Sequence, residues 1–223
     1  MKNVIQVAAL IGFVVFATGC FEIREEVDMN SDGSGRLTLT VNMSESKTNL
    51  ASYMKMEEVQ GVKVPTKEDI LQEINRVKKA LANSQGITNV SSSADFDNFI
   101  FKIMGDFDKV ENLNNAINNV AQSVNRTPFE TMKLDNFDYT TRSFRRYFNY
   151  PVSLIDYEEL PMSQQYVLES ARMVSLYRFE RPIRTFTNEK AELAPDKKMI
   201  RLENSLGSII KGQATPANSI IFQ

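Results

Sequence analysis

The sequence contains no histidine and no tryptophan, and Cys20 is its one cysteine. Without an imidazole there is no Ser-His-Asp triad, no histidine-ligated zinc and none of the usual acid-base chemistry near neutral pH. With a single thiol no intramolecular disulfide can form, so stability must come from packing. No G-x-S-x-G or P-loop pattern occurs either. Neither sign of charge dominates: 26 Lys+Arg stand against 28 Asp+Glu, a net charge of -2. That balance lacks the electrostatic footprint of a nucleic-acid binder. After the N-terminus no apolar run reaches the roughly 20 residues that a membrane-spanning helix needs. These absences argue against an enzyme, a nucleic-acid protein and a multi-span membrane protein, and no cofactor is expected.

What is present begins at the N-terminus. Lys2 supplies a positive charge and Val4 to Phe16 is apolar apart from Gln6 and the small Gly12, the layout of a signal peptide. Ala17-Thr18-Gly19-Cys20 follows and resembles the bacterial lipobox, with Ala17 where that pattern usually has Leu. The resemblance implies cleavage after residue 19 and a diacylglyceryl group on Cys20. Each buried acyl CH₂ contributes about 0.8 kcal/mol, so two or three chains, a palmitate among them, anchor a globule at a bilayer. Residues 1–19 are therefore expected to be removed, 20–212 to form a lipid-anchored domain, and 213–223 to be a loose tail, with Ile220 to Phe222 able to dock.

The mature chain reads as alternating short elements. Phe21 to Met29 and Arg36 to Met43 are strand-like and flank "NSDGSG", Asn30 to Gly35, a hairpin signal. A short helix over Thr48 to Glu58 is followed by Thr66 and Asp69, a relaxed capping box opening a helix with Ile70, Ile74, Val77 and Leu81 on one face. Ile87 to Ser93 and Asn98 to Met104 form a second hairpin. Asp108 caps a helix whose Val110, Leu113, Ile117, Val120 and Val124 share a face, the asparagine-rich side being solvated. Phe137 to Phe144 reads as one strand, Pro161 to Arg172 as a helix, and Val174 to Phe186 with Met199 to Lys211 as a closing strand pair. The expectation is an α+β fold: an antiparallel β-sheet with helices packed on one face.

Two stretches could carry chemistry. In "DMNSDGSG", Asp28, Asn30 and Asp32 with Gly33 reproduce the opening of a calcium loop, but Leu39 stands where the bidentate acid belongs. A hairpin turn and a weak Ca²⁺ site both remain open, since positive-φ turns demand the same residues. In "TRSFRRYFNYP", Arg142, Arg145 and Arg146 with Tyr147 interleave basic and aromatic groups that could hold a lipid phosphate, an acidic glycan or a partner's carboxylates. Core aromatics with solvated or acid-paired arginines are the alternative, and the same holds for Arg172, Arg178, Arg181 and Arg184.

"CFEIREEVDMNSDGSGRLTLTVNMS", Cys20 to Ser44, resembles the start of LppM-like bacterial lipoproteins, and "YRFERPIRTFTNEKAELAPDKKMIRLENSL", Tyr177 to Leu206, is similar to that family's late hairpin. The resemblance implies an envelope lipoprotein with an α+β domain, lipid binding being one expectation. Phe21 after the cysteine, rather than Asp, is similar to lipoproteins sorted to the outer membrane of diderm bacteria. The sequence thus suggests an outer-membrane lipoprotein facing the periplasm or the surface. Two roles fit: a non-enzymatic binding module for an amphiphile, glycan or envelope protein, or a structural lipoprotein of an envelope complex without a small-molecule ligand.

Overall fold

The computed structural model describes residues 21–59, 62–124, 134–148 and 157–223; Cys20 and its acylation lie outside them. The alternation around "NSDGSG" forms the expected hairpin of β1 (Glu22–Met29) and β2 (Gly35–Asn42). Gly33 takes a φ of 89°, the left-handed region where a side chain would be strained. Gly35 is required by proximity, because a Cβ there would lie 2.2 Å from the Asp28 carbonyl oxygen and 2.6 Å from the Phe107 ring.

A short helix α1 (Lys47–Tyr53), the minor hairpin of β3 (Glu58–Val59) and β4 (Val62–Lys63), and α2 (Lys67–Ala82) come next. Thr66 and Asp69 complete the capping box: Thr66 Oγ1 accepts from the Asp69 N–H at 3.1 Å and Asp69 Oδ2 accepts from the Thr66 N–H at 2.9 Å. Those Thr66 donors hold the Asp69 carboxyl below its ordinary range. Strands β5 (Ile87–Asp95) and β6 (Ile100–Phe107) pair as the second hairpin and lead to α3 (Val110–Val124).

Four readings need correction. Phe137 to Phe144 is two strands, β7 (Phe137–Thr140) and β8 (Ser143–Arg146), because Thr140 Oγ1 accepts from the N–H groups of Arg142 and Ser143 and closes a tight turn. After α4 (Met162–Ser170), the expected strand over Val174 to Phe186 divides at Pro182 into β9 (Arg172–Phe179) and β10 (Ile183–Phe186), which join different sheets. Proline offers no donor to a ladder, so the chain changes sheet there. After β11 (Glu192–Leu193) and β12 (Met199–Ser205), residues expected to continue the strand form α5 (Leu206–Ile210). Ser205 Oγ accepts the Ser208 N–H at 3.1 Å and starts that helix. Finally, the tail expected to be loose contains β13 (Asn218–Phe222), paired with both β10 and β8, with Ile220 and Phe222 buried.

The larger sheet has the order β11-β12-β9-β1-β2-β6-β5 and the smaller one β10-β13-β8-β7. Pairing is antiparallel except where β1 lies parallel to β9, Glu22 opposite Arg172 through Met29 opposite Phe179. The fold is α+β, with mixed helices and a mainly antiparallel sheet. One face of the large sheet carries two hydrophobic clusters. Val27, Tyr177, Ile200 and Phe107 pack with Leu113 of α3 and with Phe137, Phe144, Ile220 and Phe222 of the small sheet. Phe21, Ile23, Val41 and Phe101 pack with Leu50 of α1, Ile70 of α2 and Val167 of α4. Helices therefore occupy one face as expected, but they share it with a second sheet.

The opposite face is charged. Arg178 pairs with Glu26 and Asp28, Arg36 with Asp106, and Arg172 with Glu22, Glu45 and Glu203. Val174 and Leu176 lie on this face and are still buried; the register sets Arg24 and Glu203 beside Val174, and Glu26 and Arg201 beside Leu176. Long charged side chains cover apolar neighbours with their stems while their heads stay wet.

Candidate functional site

Alternation along β1 puts Ile23, Glu25, Val27 and Met29 on the inner face, so one carboxylate points among apolar residues. It is fully engaged there. Arg146, at the end of β8 in the opposing sheet, donates Nε to Glu25 Oε1 at 3.0 Å and Nη2 to Oε2 at 2.9 Å, a fork-to-fork pair. Tyr177 of β9 donates its hydroxyl to Glu25 Oε1 at 2.7 Å. Arg146 Nη1 donates to the carbonyl oxygens of Tyr147 and Asn136, and the guanidinium lies over the Phe137 ring, 4.8 Å from its centroid. Burial, reinforced by the Glu25 charge, pushes the Tyr177 phenol well above its ordinary value, which keeps the donor proton in place.

Glu25 belongs to a row that crosses the sheet. The register sets Leu202 beside Ser175, Ser175 beside Glu25, Glu25 beside Leu39, Leu39 beside Ile103 and Ile103 beside Ser92. Ile23, Val41 and Phe101 on one side of this row enter the second cluster and Val27, Leu37 and Phe107 on the other side the first; Leu39, Ile103 and Met173 enter neither. Leu39 is 38% exposed although its strand neighbours Leu37 and Val41 pack against the two clusters. One residue along, on the same face, Met173 lies opposite Asn204. Both side-chain polar atoms of Asn204 are buried without a hydrogen-bond partner, and the buried Ser175 hydroxyl has the Tyr177 phenol beside it. The result is a seam between two cores: a compensated ion pair at its centre, an unpaired neutral amide toward β12, and half-open apolar side chains toward β6.

The basic-aromatic stretch does not form one surface. Arg146 is turned inward and committed to Glu25, whereas Arg145 points out, donating to Ser219 Oγ at 3.1 Å and lying over the Tyr147 ring at 5.5 Å. Arg142 is exposed in the turn between β7 and β8. The calcium-like turn is occupied by its own bonds: Asp32 Oδ1 accepts from the N–H and hydroxyl of Ser34, and Asp28 pairs with Arg178. Those Ser34 donors hold the Asp32 carboxyl below its ordinary range. Among the described residues no group of three His, Cys, Asp or Glu side chains could hold a metal ion.

Sequence reasoning missed a role for asparagine. Asn112 and Asn114 of α3, expected to be solvated, are buried. Asn114 Oδ1 accepts from the N–H groups of Asn136 and Phe137, each at 3.0 Å, and its amide donates to the Phe137 carbonyl at 2.8 Å. Asn118 binds the Leu134 backbone in the same two-sided way. An amide side chain mimics a peptide group, so these residues act as a partner strand for the segment leading into β7. The signal available in the sequence was their spacing of four, Asn114 and Asn118, on one helix face.

No family model and no curated protein matches the chain. Among solved structures it is similar to the folded domain of Mycobacterium tuberculosis LppM, determined by NMR, with 10% sequence identity, a TM-score of 0.42, and coverage of 92% of this chain and 90% of that chain.

Proposed function

We propose that the protein is a lipid-anchored lipoprotein of the cell envelope, placed at the outer membrane by Cys20, whose α+β domain binds an amphiphile in the seam. The observation that carries this reading is Leu39: an apolar side chain, 38% exposed, on a sheet face between two buried clusters and beside a buried ion pair. An amphiphile needs that combination of apolar contact and polar anchor. The N-terminal anchor supplies the address, and no helix among the described residues is long and apolar enough to cross a membrane.

The test is to extract the processed protein from membranes in mild detergent and record native mass spectra. A co-purified lipid that disappears in Leu39→Glu supports the reading; an unliganded wild-type protein overturns it. The anchor has its own measurement, because Cys20→Ser should abolish labelling by an alkyne fatty acid. A second reading, an assembly lipoprotein without a small-molecule ligand, draws on Met162 and Tyr166, 85% and 64% exposed and one turn apart on α4. A photo-crosslinker at Tyr166 that captures one envelope protein would favour it.

A further inference from the structure

Resting on the amphiphile reading, we propose that the seam selects for an uncharged, hydroxyl-bearing head group, that of a neutral glyceride, and discriminates against anionic phospholipids. Among the described residues two charges face the seam, Glu25 and Arg146, and they are spent on each other through two parallel hydrogen bonds, with Tyr177 adding a third to the carboxylate. A phosphate brought here would meet a guanidinium already neutralised and would lie beside the Glu25 carboxylate. Burying a second negative charge beside an existing one is strongly unfavourable.

The seam group that lacks partners, the Asn204 amide, is neutral. Asn204 is 5% exposed and offers an amide donor and an amide acceptor, both unpaired, while the Ser175 hydroxyl, 1% exposed, has the Tyr177 phenol beside it. Buried polar groups in folded proteins are nearly always satisfied, so an unpaired amide marks a place where a partner fits. A ligand hydroxyl both donates and accepts, which matches Asn204 and Ser175, whereas an ionised phosphate oxygen only accepts. Leu39, Ile103 and Met173, half-open along the same face, supply contact for the acyl portion.

The experiment uses the mature, acylated protein in dioleoylphosphatidylcholine vesicles containing a photoactivatable diacylglycerol, with cross-linked peptides mapped by mass spectrometry. The label should fall on the β2 and β9 peptides that hold Leu39 and Met173, and unlabelled dioleoylglycerol should compete about tenfold better than dioleoylphosphatidylglycerol. In Ser175→Ala/Asn204→Leu, which removes the neutral polar groups of the seam and leaves the Glu25–Arg146 pair in place, that preference should vanish while labelling by lipid persists. Equal competition by the anionic lipid, or a preference unchanged in the double variant, overturns the head-group inference and leaves the amphiphile reading standing. Labelling that avoids both peptides for either lipid overturns the amphiphile reading itself.

Discussion

The two faces of the large sheet handle charge in opposite ways. On the outer face Arg178 reaches Glu26 at 3.0 Å and Asp28 at 3.1 Å, with the Arg178 and Asp28 side chains 41% and 47% exposed and so open to water. On the inner face Arg146 reaches Glu25 at a similar 2.9 Å, but its side chain is 3% exposed. Equal distances therefore carry unequal consequences, because solvent screens the first pair and desolvation penalises the second. The outer lattice keeps a sheet face soluble and covers Val174 and Leu176. The inner pair links the two sheets, since Glu25 belongs to one and Arg146 to the other.

The sharpest way to break this comparison is to remove one inner partner. Arg146→Met leaves the Glu25 carboxylate buried with Tyr177 as its remaining donor and should cost about 3–5 kcal/mol in urea unfolding followed by circular dichroism. Glu25→Leu/Arg146→Met, which removes both charges, should return to within about 1 kcal/mol of the starting stability or exceed it. A double variant as unstable as the single one would mean that the pair itself, and not the orphaned charge, carries the effect.

How much of this was legible in the sequence follows from the range of the interactions. The β1–β2 hairpin, the Thr66–Asp69 capping box and the α2 face are local and were read with near-correct bounds, because turn chemistry and helical period act within a few residues. The placement of helices on one face followed from counting elements. What escaped was nonlocal. Nothing near Glu25 indicates that a charge in an alternating strand will be met by Arg146, 121 positions away. Nothing near Asn218 shows that the tail becomes an inner strand of the small sheet, and Arg146 was grouped with Arg142 and Arg145 by adjacency although strand alternation sends it to the opposite face. Leu39 shares the strand alternation of Leu37 and Val41, so period alone could not single it out as exposed.

Two intermediate effects sharpen the inner face. Tyr177→Phe removes a charge-assisted donor to Glu25 and should cost about 1–3 kcal/mol at neutral pH. It should also alter the alkaline limb. The phenol's folded-state value lies above the ordinary 10.0, so its protonated form stabilises the fold at lower pH, and that contribution falls as pH rises from the ordinary value toward the folded one. Unfolding curves across that window should be flatter for Tyr177→Phe than for the parent. Asn204→Leu, by contrast, replaces an unpaired buried amide with an apolar group and should raise stability by about 1 kcal/mol in the lipid-free protein; a loss instead would mean that the amide has a partner in solution.

The smallest effect belongs to the outer face. Arg178→Ala removes both contacts to Glu26 and Asp28, yet exposed pairs of this kind contribute less than about 1 kcal/mol, because high dielectric weakens the attraction and side-chain entropy opposes it. The loss should also shrink as salt is raised toward ~1 M, where screening acts within about 3 Å, whereas the cost of Arg146→Met should barely move because its site excludes ions. Measuring both variants at low and high salt separates the faces by mechanism as well as by size. A salt-independent loss at Arg178 would show that its aliphatic stem, packed beside the sheet, matters more than its charge, and the contrast between the faces would then be one of packing on both sides.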